Sequence, residues 1–188
     1  MNEQNNSALV RKPSSAVTKA ALRAKRILSG MVADALVLSK KMEAEAIYLK
    51  VLNDRALRKY ADARQSLHRA AKLGHTLAMY DYWMDFMDIG DMYPQDRQKE
   101  LRERAFNWLR KAAEQGHGNA QWLTGIFYKS GKSIFPQDLP EAYKWSKLAT
   151  EKGNKGGIKV FTQLSSTMSP DQLHEGERRY REFQLLNK

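Results

Sequence analysis

The chain has 188 residues, a length suited to one domain or to a compact repeat array with a tail. It contains no cysteine, so disulfide bonds, thiolate metal ligands and a cysteine nucleophile are excluded. No uninterrupted apolar run reaches the ~18 residues of a membrane-spanning helix. Basic residues before an apolar stretch are weakly similar to a signal peptide, but Asp34 interrupts that stretch and no small-residue cleavage site follows it. We therefore expect a cytoplasmic protein.

The net charge of +11 is distributed unevenly. Residues 1–41 contain eight Lys and Arg against two acidic residues, which gives +6. The remaining residues carry only +5. A basic arm on a body of mixed charge indicates a separate docking element, whereas an even basic coat would indicate general affinity for nucleic acid.

The N-terminal arm is predicted to contain a polar tail and one helix. Residues 1–14 are expected to be disordered or extended. Residues 15–41 form a predicted basic amphipathic helix that runs to about Ser39, with Lys19, Arg23 and Arg26 opposite its apolar arc. That apolar arc has three interpretations. It caps the helices that follow, it docks on a partner, or it contacts an anionic membrane surface.

Residues 42–185 are predicted to form one domain of helical repeats, because three segments align without gaps. Each has small residues at matching positions and ends in glycine followed by His or Asn. Their terminal glycines are separated by 42 and 37 residues, as in helical repeats. The segments are Ala63–His75, Ala105–His117 and Ala142–Asn154.

Each segment is typical of a helix with a defined end. Ala63, Leu67 and Ala70 follow helical spacing. Gly74, Gly116 and Gly153 stand where a left-handed C-cap is needed, since glycine has no Cβ to clash there. A second helix is expected to start four residues after each glycine, at Ala78, Ala120 and Gly157.

These residues resemble a known family, the Sel1-like repeats, which are related to tetratricopeptide repeats. The resemblance spans roughly residues 43–185 and is strongest from residue 105 to residue 183, which includes the final segment Ser169–Phe183. It implies an all-α fold, an α/α solenoid superhelix of about three Sel1-like helix pairs with an N-terminal amphipathic helix and a C-terminal capping helix. It also implies protein–protein contact as a scaffold or adaptor, as found in bacterial signalling and secretion.

The helix predicted from Ala78 departs from the family pattern. Asp81 stands where the family has leucine, and Trp83 stands where it has a close-packing glycine. The segment from Gly90 to Arg104 is expected to be a loop, longer than the corresponding loop of the next repeat. The middle of the array is therefore either distorted or the location of this protein's particular function.

An acidic stripe on that same helix is the main candidate binding site. Asp81, Asp85 and Asp88 follow helical spacing beside Tyr80 and Trp83. Like charges one turn apart destabilise an isolated helix, so helix stability does not explain the stripe. Three interpretations remain open: a solvated face, a groove for a basic or aromatic-bearing partner, or a divalent cation site.

Other motifs point to structural roles. The segment Ser130–Ser133 lacks the first glycine of a phosphate-binding loop. His75 and His117 occupy equivalent places, so repetition explains them better than catalysis. We therefore predict no enzyme activity, cofactor or metal, and a protein partner as the ligand. The alternative is nucleic-acid or membrane-surface binding through the basic arm.

Overall fold

In the computed structural model, residues 15–89, 94–131 and 136–187 are described, and within them the chain forms eight helices and no strand. They group into two compact units that divide between Lys40 and Lys41. The tail predicted at residues 1–14 lies outside the described residues. The helices are α1 (Ser15–Ala56), α2 (Tyr60–Lys72), α3 (Thr76–Ile89), α4 (Gln95–Glu114), α5 (Gly118–Ser130), α6 (Leu139–Glu151), α7 (Lys155–Thr167) and α8 (Pro170–Leu186).

Left-handed glycines end three of these helices. The backbone φ angles are 96° at Gly74, 85° at Gly116 and 71° at Gly153. A residue with a Cβ pays a steric penalty in this conformation, so the three glycines allow the chain to reverse after α2, α4 and α6. The predicted helix ends are confirmed at all three positions.

The residue after each glycine caps the next helix. The imidazole Nδ1 of His117 accepts a hydrogen bond from the backbone N–H of Ala120 at 3.2 Å. His75 makes the same bond to Ala78 at 3.1 Å, and Asn154 is the N-cap of α7. These helices therefore begin two residues earlier than predicted, because the capping side chain satisfies an N–H that already lies inside the first turn.

Small residues allow the repeat helices to pack closely. Buried alanines include Ala70, Ala71, Ala112, Ala113 and Ala149. A Cβ added to Gly125 in α5 would lie 3.3 Å from the carbonyl oxygen of Ala142 in α6. The backbones of α5 and α6 approach closely there because Gly125 has no side chain.

The second pair, α3 and α4, packs differently because Trp83 takes the position equivalent to Gly125. Its side chain is 7% exposed and belongs to the core. The indole meets Phe127 edge to face, with ring centroids 6.3 Å apart. Phe106 of α4 meets the same Phe127 at 5.4 Å. Aromatic packing therefore replaces the close backbone approach of the next pair.

The prediction of a loop from Gly90 to Arg104 is wrong, since α4 begins at Gln95 directly after Pro94. Pro94 is the N-cap residue, and Asp96 in the first turn is favourable for the helix dipole. The first ten residues of α4 are almost entirely polar. The sequence therefore has no apolar periodicity there from which a helix could be predicted. An ion pair of 2.5 Å joins Glu100 and Arg104 across one turn.

The N-terminal helix also differs from its expected end near Ser39, because α1 continues to Ala56. Its final part lies in the second unit, where Tyr48 and Val51 are buried in the main core. Residues 41–56 thus provide the first helix of the first pair.

The C-terminal helix α8 packs against the last repeat. Ser169 and Gln172 form a reciprocal capping box at its start. Arg179 donates to Asp138 at 2.8 Å, which joins α8 to the N-cap of α6. The second unit is therefore an α/α solenoid of helix pairs closed by a terminal helix. None of the helices in the described ranges is both long and apolar enough to cross a bilayer.

Replacing Gly116 by valine is expected to lower the melting temperature by several degrees. A β-branched residue at φ 85° costs about 1–2 kcal/mol of folding free energy. The measurement is thermal unfolding followed by circular dichroism. The exposed substitution Gly30→Val in α1 is a control for the mutation itself, because nothing lies within 4 Å of that position and its φ is helical. An unchanged melt for Gly116→Val would show that the turn does not depend on glycine.

Candidate partner-binding surface

The acidic residues of α3 are engaged within the chain by Arg55. Its Nη1 donates to Asp81 Oδ2 at 2.8 Å, and its Nη2 donates to Asp85 Oδ1 at 2.7 Å. The guanidinium thus spans two carboxylates one helical turn apart, and charge-assisted bonds of this kind are the stronger class. Through these two bonds, the acidic stripe of α3 is connected to the end of α1. The side chain of Asp88, the third acidic residue of the stripe, lies outside the described part of the structure.

A tyrosine completes this junction. Tyr48 is buried in the core and donates its hydroxyl proton to Asp81 Oδ2 at 3.0 Å. Burial, followed by the adjacent Asp81 carboxylate, raises the pKa of Tyr48 to about 12. The neutral phenol is therefore favoured in the fold. Its contribution to stability is present below pH ~10, the usual tyrosine pKa, and declines as the pH rises toward 12.

The other predicted residues of α3 lie in different environments. Trp83 is buried, so its indole is not presented at the surface. Tyr80 is half-buried against His117, with ring centroids 4.4 Å apart. Burial raises the pKa of the Tyr80 hydroxyl and lowers the pKa of His117. Both rings therefore remain neutral near pH 7 and pack as aromatic side chains.

An apolar face of α3 was missed in the sequence. Leu77, Met84 and Met87 are 45%, 39% and 54% exposed. They follow the spacing i, i+7, i+10, so they share one side of the helix, together with Tyr80 and with Asp81 at its edge. We call these five residues the α3 surface. The helical spacing of Leu77, Met84 and Met87 is visible in the sequence. Aromatic and acidic residues are interleaved with them, so the three do not stand out as one apolar face.

The basic residues Lys19, Arg23 and Arg26 belong to the other compact unit. All three are exposed on α1 and follow the spacing i, i+4, i+7. They therefore share one face of that helix, as predicted from the sequence.

The remaining candidate sites have structural explanations. Gly131 ends α5 in the left-handed conformation, and residues 132–133 of the rejected phosphate loop lie outside the described residues. His68 stacks on Tyr82 at 5.3 Å, and burial lowers its pKa. The described side chains include no group of three or more His, Asp or Glu residues arranged to hold a metal ion.

Comparison with known proteins agrees with this geometry. The Sel1 repeat family model matches residues 88–117 and 118–154, which include α4, α5 and α6. Residues 88–154 therefore contain two segments similar to Sel1 repeats. The matched segments end at His117 and Asn154, the two capping residues that follow Gly116 and Gly153.

One solved structure shares the fold of this chain, and a second one is similar in sequence. A protective antigen of uropathogenic Escherichia coli, described as displaying an SLR fold, is 22% identical with a TM-score of 0.59. The match covers 74% of this chain and 29% of that one. A Sel1 repeat protein from Oxalobacter formigenes is 28% identical with a TM-score of 0.45, over 66% of this chain and 47% of that one.

Both proteins are longer than this chain, which spans less than half of either. No curated protein matches the sequence.

Replacing Arg55 by glutamine should destabilise the protein by roughly 1 kcal/mol, because Asp81 and Asp85 would lose their shared cation while half-buried. The readout is urea unfolding. Arg64→Gln, at an exposed position on α2, is the matched control and should stay within about 0.5 kcal/mol of the parent. Equal stability of the two variants would show that the Arg55 contacts contribute nothing.

Trp83→Ala should cost about 3–5 kcal/mol, the range for deleting a large buried aromatic side chain. The loss should be concentrated in α3 and α5, because the indole packs against Phe127 of α5 and repeats contact mainly their neighbours. Hydrogen exchange would show faster exchange in these two helices. A variant that melts like the parent would mean that the indole is a surface group.

Proposed function

We propose that this protein is a non-catalytic scaffold that binds a protein partner on the α3 surface. Sel1 repeats typically mediate protein–protein interaction. The observation that supports this location is the exposed apolar line of Leu77, Met84 and Met87 on a helix whose opposite side is core. An apolar line of this kind is a common feature of interaction sites.

The chemistry of the α3 surface favours an apolar partner segment. Methionine is flexible and polarisable, so two exposed methionines can adapt to side chains of different shape. Asp81 and Asp85 already share Arg55, so a basic partner would compete with that internal pair. The acidic residues are therefore assigned to holding α3 in position, and the apolar line to affinity.

The proposal includes no chemical step. His75 and His117 cap helices, and His68 stacks on Tyr82. The alternative of nucleic-acid or membrane binding through the basic arm gains no support from the comparisons.

The test is a paired substitution in the full chain. Met84→Ser with Met87→Ser should reduce capture of partner proteins at least tenfold, because interface energy concentrates in a few apolar anchors. Both positions are exposed, so the melting temperature should change little. Capture is measured by affinity purification from the native cell with quantitative mass spectrometry.

The matched control removes the same number of exposed apolar side chains elsewhere. Leu57 and Ile158 are 57% and 44% exposed, and their double serine variant should capture the same proteins as the parent. If both double variants capture equally, the α3 surface is not the binding site. If the parent captures nothing above the background of an unrelated tagged protein, the scaffold function itself fails.

A further inference from the structure

The part of α1 in the first compact unit exposes many large apolar side chains. Every residue from 22 to 40 is exposed. The large apolar side chains among them have exposed fractions between 56% and 67%. They are Leu22, Ile27, Leu28, Met31, Val32, Leu36, Val37 and Leu38.

Part of this apolar set follows a heptad. Ala24, Leu28, Met31, Ala35 and Leu38 are separated by alternating steps of four and three residues. The mean spacing of 3.5 residues is that of the a and d positions of a coiled coil. Val17 and Ala21 extend the same spacing toward the N-terminus in the sequence. We call the line from Ala24 to Leu38 the seam.

The charges of this helix are compatible with pairing of two identical copies. With Leu28 at position a, Arg23 takes position c, and Lys19 and Arg26 take position f, which point away from the seam. The flanking positions hold charges of both signs, Lys25 at e and Asp34 at g. Like-charge repulsion therefore does not oppose contact along the seam.

We propose that the seam is a self-association surface, through which two copies of this chain form a coiled-coil dimer. Ile27 and Val32 flank the seam at positions g and e and widen it. With Leu28, Met31 and Leu38 they expose several hundred Å² of apolar area, the order of the roughly 800 Å² per partner of a specific interface. This is independent of the α3 surface.

The shape of the helix surface supports the same occupant. A shallow apolar depression is lined by Ala24, Lys25, Leu28, Ser29 and Val32. Small Ala24 beside larger Leu28 and Val32 creates this depression, which is suited to receive a side chain from a facing helix. Between residues 15 and 47 the sequence has no Trp, Tyr or Phe, the residues that anchor a helix at a membrane interface. A second helix therefore fits this surface better than a lipid surface.

The test compares two double variants of the full chain. Leu28→Glu with Leu38→Glu introduces charge into the seam. Leu22→Glu with Val37→Glu introduces the same charge at b and c, where the side chains are equally exposed. Mass is measured by light scattering and sedimentation over a micromolar concentration series. Circular dichroism melts verify that the repeat unit stays folded.

The parent and the b/c variant should be dimeric, and the seam variant should dissociate at least a hundredfold more readily. A parent that stays monomeric throughout the series overturns the proposal, as does a seam variant that dimerises like the parent. If dimerisation is weakened equally in both variants, the seam is not the dimer interface. A monomeric parent that co-sediments with phosphatidylserine vesicles would overturn the dimer proposal and indicate that the seam binds a membrane surface.

Discussion

The stacking of the helix pairs in this protein depends on one backbone constraint, the left-handed turn at a glycine. At Gly74, Gly116 and Gly153 the chain takes positive φ, and the next residue caps the following helix. Only three residues therefore separate the end of one helix from the start of the next. Because the turn is short, consecutive helices must lie side by side, and alanine is the residue that permits this spacing in α2, α4 and α6. The stacking of one helix pair on the next follows from the turn.

The second pair, α3 and α4, is packed by different side chains from the pair that follows it. Trp83 fills the space that a glycine would have closed, so α3 is held by aromatic contacts and by the shared pairing of Asp81 and Asp85 with Arg55. Both interactions use the buried side and one edge of α3. The remaining side is left with Leu77, Met84 and Met87. The departure from the family pattern and the exposed apolar line are thus two consequences of the same local sequence.

The fold could be predicted from sequence because its signals are local and repeated. Glycine spacing, alanine positions and the His or Asn after each glycine recur within about 40 residues. The start of α4 could not be predicted, since residues 95–104 have no apolar stripe. The role of Asp81 and Asp85 was also inaccessible, because their partner Arg55 lies on another helix and nothing in the sequence pairs the two. The apolar face of α3 was accessible in principle, because Leu77, Met84 and Met87 follow helical spacing, but aromatic and acidic residues are interleaved with them in the sequence.

The turns differ in their sensitivity to pH, because histidine caps one following helix and asparagine caps another. A neutral imidazole accepts a hydrogen bond at Nδ1, whereas the protonated ring has only donors. Burial lowers the pKa of His117, so its cap persists somewhat below the usual histidine range and is lost in stronger acid. The equivalent Asn154 accepts through an amide oxygen at any such pH. Acidification would therefore loosen the solenoid unevenly, with the α4–α5 turn failing while the α6–α7 turn remains intact.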